Sequence, residues 1–195
     1  MSAAPARGLG AAARCTRVLW CGNVHGKKGP GWQFPGTVER HLRTLTKGQS
    51  VLHLFGGAAR WGVRLDIDPA TRPHVLGDAW LAPFARDSVD VVILDPPYLH
   101  FSTQEKTQLL RQAAYIARSR VIWFHTTWIY SAKSLPLSAA WLVRVGDNCA
   151  VRALQVFSVR GWKARPDPWF LRGPALKYNR WLTGQAPLPF TAVDP

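Results

Sequence analysis

The sequence predicts an α/β fold: an open, mostly parallel sheet with helices on both faces, three layers in all, and an antiparallel hairpin at its end. Three observations lead there. Val89-Asp90-Val91-Val92-Ile93-Leu94 is an apolar run of the kind found in strands buried on both faces. It stops at Asp95-Pro96-Pro97-Tyr98, because proline has no N–H for the ladder. Ser50 to Phe55 is a second such run, and it feeds directly into Gly56-Gly57-Ala58-Ala59. Helical periodicity stands between and after these runs, at Val38, Leu42 and Leu45 and again from Leu109 to Ala117. Strands that alternate with amphipathic helices belong to parallel sheets, whose ligands gather at the carboxyl ends of the strands.

Taken in order, residues 1–36 hold many Gly and Pro and little periodicity apart from Val18-Leu19-Trp20, and read as a basic N-terminal arm with a loop at Gly26-Lys27-Lys28-Gly29-Pro30-Gly31. Thr37 is an N-cap candidate for a short helix that ends before Gly48. After the glycines, Val63-Arg64-Leu65-Asp66-Ile67-Asp68 is the next strand, with only residues 56–62 between. Parallel neighbours usually need a crossover of about a dozen residues or more, so the helix expected there must be reduced or missing. A third short strand, His74 to Gly77, precedes Asp78-Ala79-Trp80. Ser102 and Glu105 have capping-box spacing ahead of a helix at about residues 103–118. Arg120 to His125 is a further strand, with His125 read as a packed histidine near its end. Trp141–Val145 and Val151–Val159 flank Gly146-Asp147-Asn148 as the hairpin. From residue 161 to 195 Arg, Lys, Trp, Phe and Tyr interleave among prolines, a mixture suited to phosphates and unstacked bases or, equally, to aromatic plugging of the core edge. No internal repeat is visible.

At 195 residues the chain suits one domain, expected at 37–160 between the arm and the C-terminal extension. Its net charge of +14 and isoelectric point of about 10.7 point toward a polyanionic partner. Cys15, Cys21 and Cys149 are too few and too irregular for a disulfide framework, and Cys15, Cys21 and His25 do not have zinc spacing, so no metal is expected. No apolar run approaches the ~20 residues of a membrane span, and the start lacks the apolar middle of a secretory signal. The expected location is the cytoplasm.

The chemistry concentrates where the central strand stops. The Asp95 carboxylate and the Pro96 carbonyl can both accept hydrogen bonds from a planar amino group, and neither Pro96 nor Pro97 has an N–H to compete. Tyr98 offers a face for stacking. This turn resembles the catalytic motif of S-adenosylmethionine-dependent amino-methyltransferases, which methylate exocyclic amines of adenine or cytosine in DNA and comparable positions in RNA. The resemblance implies a class I, Rossmann-like sheet with S-adenosyl-L-methionine as cofactor, and it extends over residues 50–98 in order and spacing. Gln33-Phe34-Pro35 with the helix that follows, and Val51 to Gly57, are similar to two consecutive family motifs. By that likeness Pro35 and the Phe55-Gly56-Gly57 loop lie at the methionine end of the cofactor. Asp66 and Asp68, on one face of their strand by alternation, would bond ribose hydroxyls, with Asp66 favoured. Asp78 would bond the adenine amino group, with Ala79 or Trp80 against the ring. Two departures stand out: His53 occupies a place where the family usually has an acid, and Ala59 one where a glycine is usual.

The charge distribution agrees. Residues 1–49 carry eight Lys or Arg against one acid, residues 50–98 four against six, and residues 99–195 thirteen against four. An acidic centre suits a sulfonium, and basic flanks suit phosphates. The expectation is therefore a DNA amino-methyltransferase acting most readily on adenine, with Asp95, Pro96, Pro97 and Tyr98 at the reacting amine. Two rivals remain open: an RNA base amino-methyltransferase, favoured by the lack of an obvious large target-recognition domain, and a catalytically silent nucleic-acid-binding module.

Overall fold

The computed structural model describes residues 14–21, 34–96, 101–126, 135–145 and 150–160, and at 14–21, 126, 144, 145 and 150 the backbone alone. In chain order these form β1 (Arg14–Cys21), α1 (Gly36–Leu45), β2 (Val51–Leu54), β3 (Val63–Asp66), β4 (Val75–Leu76), β5 (Val89–Leu94), α2 (Thr103–Ile116), β6 (Ala117–Thr126), β7 (Leu137–Val145) and β8 (Ala150–Ser158). The strands make one eight-stranded sheet in the order β1-β7-β8-β6-β5-β2-β3-β4. β8 alone runs against its neighbours β6 and β7, so the hairpin closes an otherwise parallel sheet.

β5 lies between β2 and β6 and is buried on both sides, as its apolar run requires. Val92 and Leu94 enter one core with Leu52, Leu54, Val121 and Trp123, under Leu109, Leu110, Ala113 and Ile116 of α2. Val91 and Ile93 enter the other with Val51, Ile122 and Phe124, under Val38 and Leu42 of α1. Period-two alternation thus divides one strand between two helical layers.

The helix starts follow backbone chemistry. Pro35 rather than Thr37 stands at the N-cap of α1, and its carbonyl accepts from the Glu39 N–H at 2.9 Å. Thr37 falls inside the first turn. A proline fits ahead of a helix because the first N–H groups have no helical acceptor. At α2 the anticipated capping box is present: Glu105 N–H donates to Ser102 Oγ at 3.2 Å, and Ser102 N–H donates to Glu105 Oε2 at 2.7 Å.

Two features depart from ordinary expectation. No helix joins β2 to β3; residues 55–62 return the chain directly. Each strand has four residues, about 13 Å of rise, which a short extended return can span. The second is a correction: the first 36 residues are not simply an arm, because Arg14–Cys21 is β1, paired in parallel with β7 through Val18↔Leu142 and Leu19↔Val143. An apolar triplet is too short to show periodicity, and its partner lies far along the chain. β6 begins at Ala117, directly after α2, and β7 begins at Leu137, both earlier than expected. Among the described residues no helix is long and apolar enough to cross a membrane.

Candidate active site

β2, β3, β4, β5 and β6 all present their carboxyl ends at one edge of the sheet. Asp95 and Pro96 follow β5 there, both buried, with Asp95 only 8% exposed. Pro97, Tyr98 and the extension from residue 161 lie outside the described residues. Beside this corner β2 runs into the Phe55-Gly56-Gly57 loop. Phe55 and Gly57 adopt left-handed backbone, with φ of 63° and 45°, which glycine tolerates and phenylalanine does at some cost. Gly56 answers a different need: a Cβ there would lie 2.7 Å from Arg64 Cβ.

The loop is lashed to β3 from both sides. Gly57 N–H donates to Asp66 Oδ2 at 2.7 Å, and Asp68 N–H donates to Asp66 Oδ1 at 3.0 Å. Arg64 donates from Nη1 to the carbonyls of Gly57 at 2.8 Å and Thr71 at 3.0 Å, and from Nη2 to that of Arg72 at 2.6 Å. Sequence reasoning missed Arg64, whose strand position carried no motif signal. Asp68 lies past the end of β3, exposed, and its Oδ1 accepts from Ala70 N–H at 2.9 Å. That bond caps a single 3-10 turn at Pro69–Thr71.

A narrow cleft opens between these elements, lined by Phe55, Leu65, Asp66, Ile67, Gly77, Asp78 and Ala79. It unites four of the expected positions, Phe55, Asp66, Asp78 and Ala79, and adds Leu65, Ile67 and Gly77. Asp78 Oδ1 accepts from Trp80 N–H at 2.9 Å, while Oδ2 is buried with no hydrogen-bond partner among the described residues. Burial pushes the Asp78 carboxyl above its ordinary pKa, against the lowering effect of the Trp80 N–H. A buried acceptor in this condition is open to a donor from outside the described residues, a water or a ligand. Trp80 itself is turned into an aromatic group, with ring centroids 4.9 Å from Phe101 and 5.6 Å from Phe55. Pro35 is buried at the head of α1 and does not line the cleft.

Two histidines flank the site without entering the cleft. His53 is 1% exposed, with its ring 4.5 Å from Trp61 and 6.2 Å from Phe34. Burial lowers its pKa to about 4, opposed by a hydrogen bond to the Trp61 backbone and aided by the charges of Arg64 and Arg43. His125 is packed as anticipated: it is 5% exposed, and Nε2 pairs with Oε1 of the fully buried Gln155.

No family model matches the chain, and no curated protein matches it. Solved structures do. A proposed RNA methyltransferase, PH1948 from Pyrococcus horikoshii, is 14% identical with a TM-score of 0.50 over 65% of this chain and 85% of that one. TrmN from Thermus thermophilus is 16% identical with a TM-score of 0.48, over 63% of this chain and 48% of its own. The magnesium protoporphyrin IX methyltransferase ChlM from Synechocystis PCC 6803, solved with bound S-adenosylmethionine, is 13% identical with a TM-score of 0.47, over 62% and 76%. The sheet order, the lone reversed strand and the first of these likenesses agree that the chain has the Rossmann-like fold of class I methyltransferases.

Proposed function

We propose that the protein transfers a methyl group from S-adenosyl-L-methionine to the exocyclic amine of adenine in DNA. The observation that carries this reading is the adjacency of two features at one sheet edge: the buried Asp95-Pro96 corner and a cleft holding an unpartnered buried carboxylate oxygen on Asp78. The residues present fit the cofactor. Asp78 Oδ2 would accept from the adenine amino group, and Asp66 keeps lone pairs for ribose hydroxyls beyond its two backbone bonds. Gly57, with its left-handed backbone, would allow close approach of the methionine end. When bound, the cofactor supplies an electrophilic methyl on a sulfonium.

The chain's own part is to position the amine. Asp95 and Pro96 accept its two N–H groups, which draws the nitrogen lone pair out of conjugation with the ring. Tyr98, by its place in the resembling motif, would stack on the base. Toward the methyl that the bound cofactor would supply, the Asp95 carboxylate would stabilise the positive charge gained by the amine nitrogen, whose proton would then pass to solvent. Alignment of this kind supplies much of a rate enhancement without a separate general base. In a duplex the target must first leave the stack.

RNA is the second reading, favoured by the name of the Pyrococcus protein that shares the fold. Incubation with methyl-labelled cofactor and either DNA or RNA, followed by mass identification of the modified nucleoside, decides between them. N6-methyladenine in DNA is expected; label in RNA alone overturns the DNA assignment. Asp95→Ala should lower turnover by at least about 100-fold with cofactor binding retained. Asp78→Asn should weaken cofactor binding in calorimetry about tenfold, or roughly 1.4 kcal/mol. Failure of the wild type to bind the cofactor would point to a silent binding module.

A further inference from the structure

A second cleft lies at the opposite edge of the sheet, about 20 Å from Asp95 by the rise of β5. It measures about 250 Å³ and is lined by Gln49, Ser119, Arg120, Ser138, Ser158 and Arg160. These come from four places that the topology brings together: the turn before β2, the amino ends of β6 and β7, and the carboxyl end of β8.

The polar groups of this cleft divide unequally. Ser119 Oγ donates to the Asp90 carbonyl at 2.7 Å and Ser138 Oγ to the Val156 carbonyl at 2.9 Å, so those hydroxyl protons are committed. Arg120 Nη2 donates to the Leu45 carbonyl at 2.9 Å and to Gln49 Oε1, which immobilises one guanidinium and leaves the Gln49 amide nitrogen as a donor. Arg160 and the Ser158 hydroxyl complete the set. No carboxylate lines the cleft, and among the described residues neither arginine pairs with one. The neighbouring acid, Asp90, is held by Ser50 Oγ and by Arg118, each at 2.7 Å. Two positive charges, that of Arg120 held in place, and two further donors, in a concavity without a counter-charge, describe a receptor for an oxyanion.

We propose that this cleft binds a phosphate group through Arg120, Arg160, Ser158 and Gln49. The site stands apart from the methyl-transfer reading, since it shares no residue with the cofactor cleft. Two sources present the same chemistry: a free nucleotide phosphate and the backbone of a bound nucleic acid.

The full chain is titrated with inorganic phosphate, against chloride at matched ionic strength, while the thermal midpoint is followed. Phosphate should raise the midpoint of the wild type, and Arg160→Ala and Ser158→Ala should each weaken its apparent affinity about tenfold. Arg160→Lys should recover part of the effect. Arg160 is exposed, so its variants are expected to fold, with far-ultraviolet circular dichroism as the check. No phosphate effect in the wild type, or an equal effect in wild type and Arg160→Ala, overturns the proposal. A labelled DNA duplex then identifies the source. If Arg160→Ala reduces the slope of log affinity against log salt by about 0.9, the ligand is a backbone phosphate. An unchanged slope, with inorganic phosphate binding lost, assigns the site to a free phosphate.

Discussion

His53 shows how much one side chain can reveal before and after folding. Its sequence position marks a departure from the acid usual in the motif it resembles; its surroundings bear on the departure. Enclosed by Phe34 and Trp61, a carboxylate would be desolvated even with Arg43 and Arg64 in range, whereas a neutral imidazole is tolerated. The folded pKa of about 4 lies below the unfolded value of 6.5. Between those values the unfolded chain binds more protons, so the stability present above about pH 6.5 falls as pH drops toward 4. The loss by pH 4 is on the order of 3 kcal/mol. Urea unfolding of His53→Leu at pH 4.5 and pH 7.5 should show a flatter pH dependence than wild type. An unchanged slope would assign the acid sensitivity to another group.

At the scale of the element, the β2–β3 connection carries part of the candidate site. The run Ser50 to Phe55 announced a strand, and the short spacing announced the missing helix. Hidden in the sequence was the clamp, in which Arg64 and Asp66 of β3 grip opposite groups of Gly57. Alternation places residues on faces but does not say which backbone groups need partners. Gly56→Ala drives a methyl against Arg64 Cβ and should cost about 1–3 kcal/mol. Guanidinium chloride unfolding measures this; a change below about 0.5 kcal/mol would mean that β3 moves aside freely. Cofactor affinity should fall with it, because the clamp must shift.

For the whole molecule, β1 makes the first segment of the chain part of the sheet. Its removal would leave the outer edge of β7 unpaired, with Leu142 already 36% exposed beside it. Deleting residues 1–22 should therefore lower the thermal midpoint, by about 3 °C for each kcal/mol of pairing lost. It should also promote concentration-dependent association in light scattering, because unpaired edges recruit strands. A monomer with an unaltered midpoint would show that β1 contributes little.

The sequence by itself determined the layers and the strand ends at which the site is proposed. Apolar runs of strand length, helical periodicity, a capping box and a proline stop are local signals, and local signals suffice to order β2 through α2. They also singled out Asp95, Asp66 and Asp78 as acids at strand ends. Only the tertiary structure decided that Asp68 caps a turn, that Trp80 packs inward, that Arg14–Cys21 joins the sheet, and that Arg120 and Arg160 share a cleft. Each of these depends on a partner distant in the chain or on competition for a backbone donor, and neither leaves a periodic trace in the order of residues.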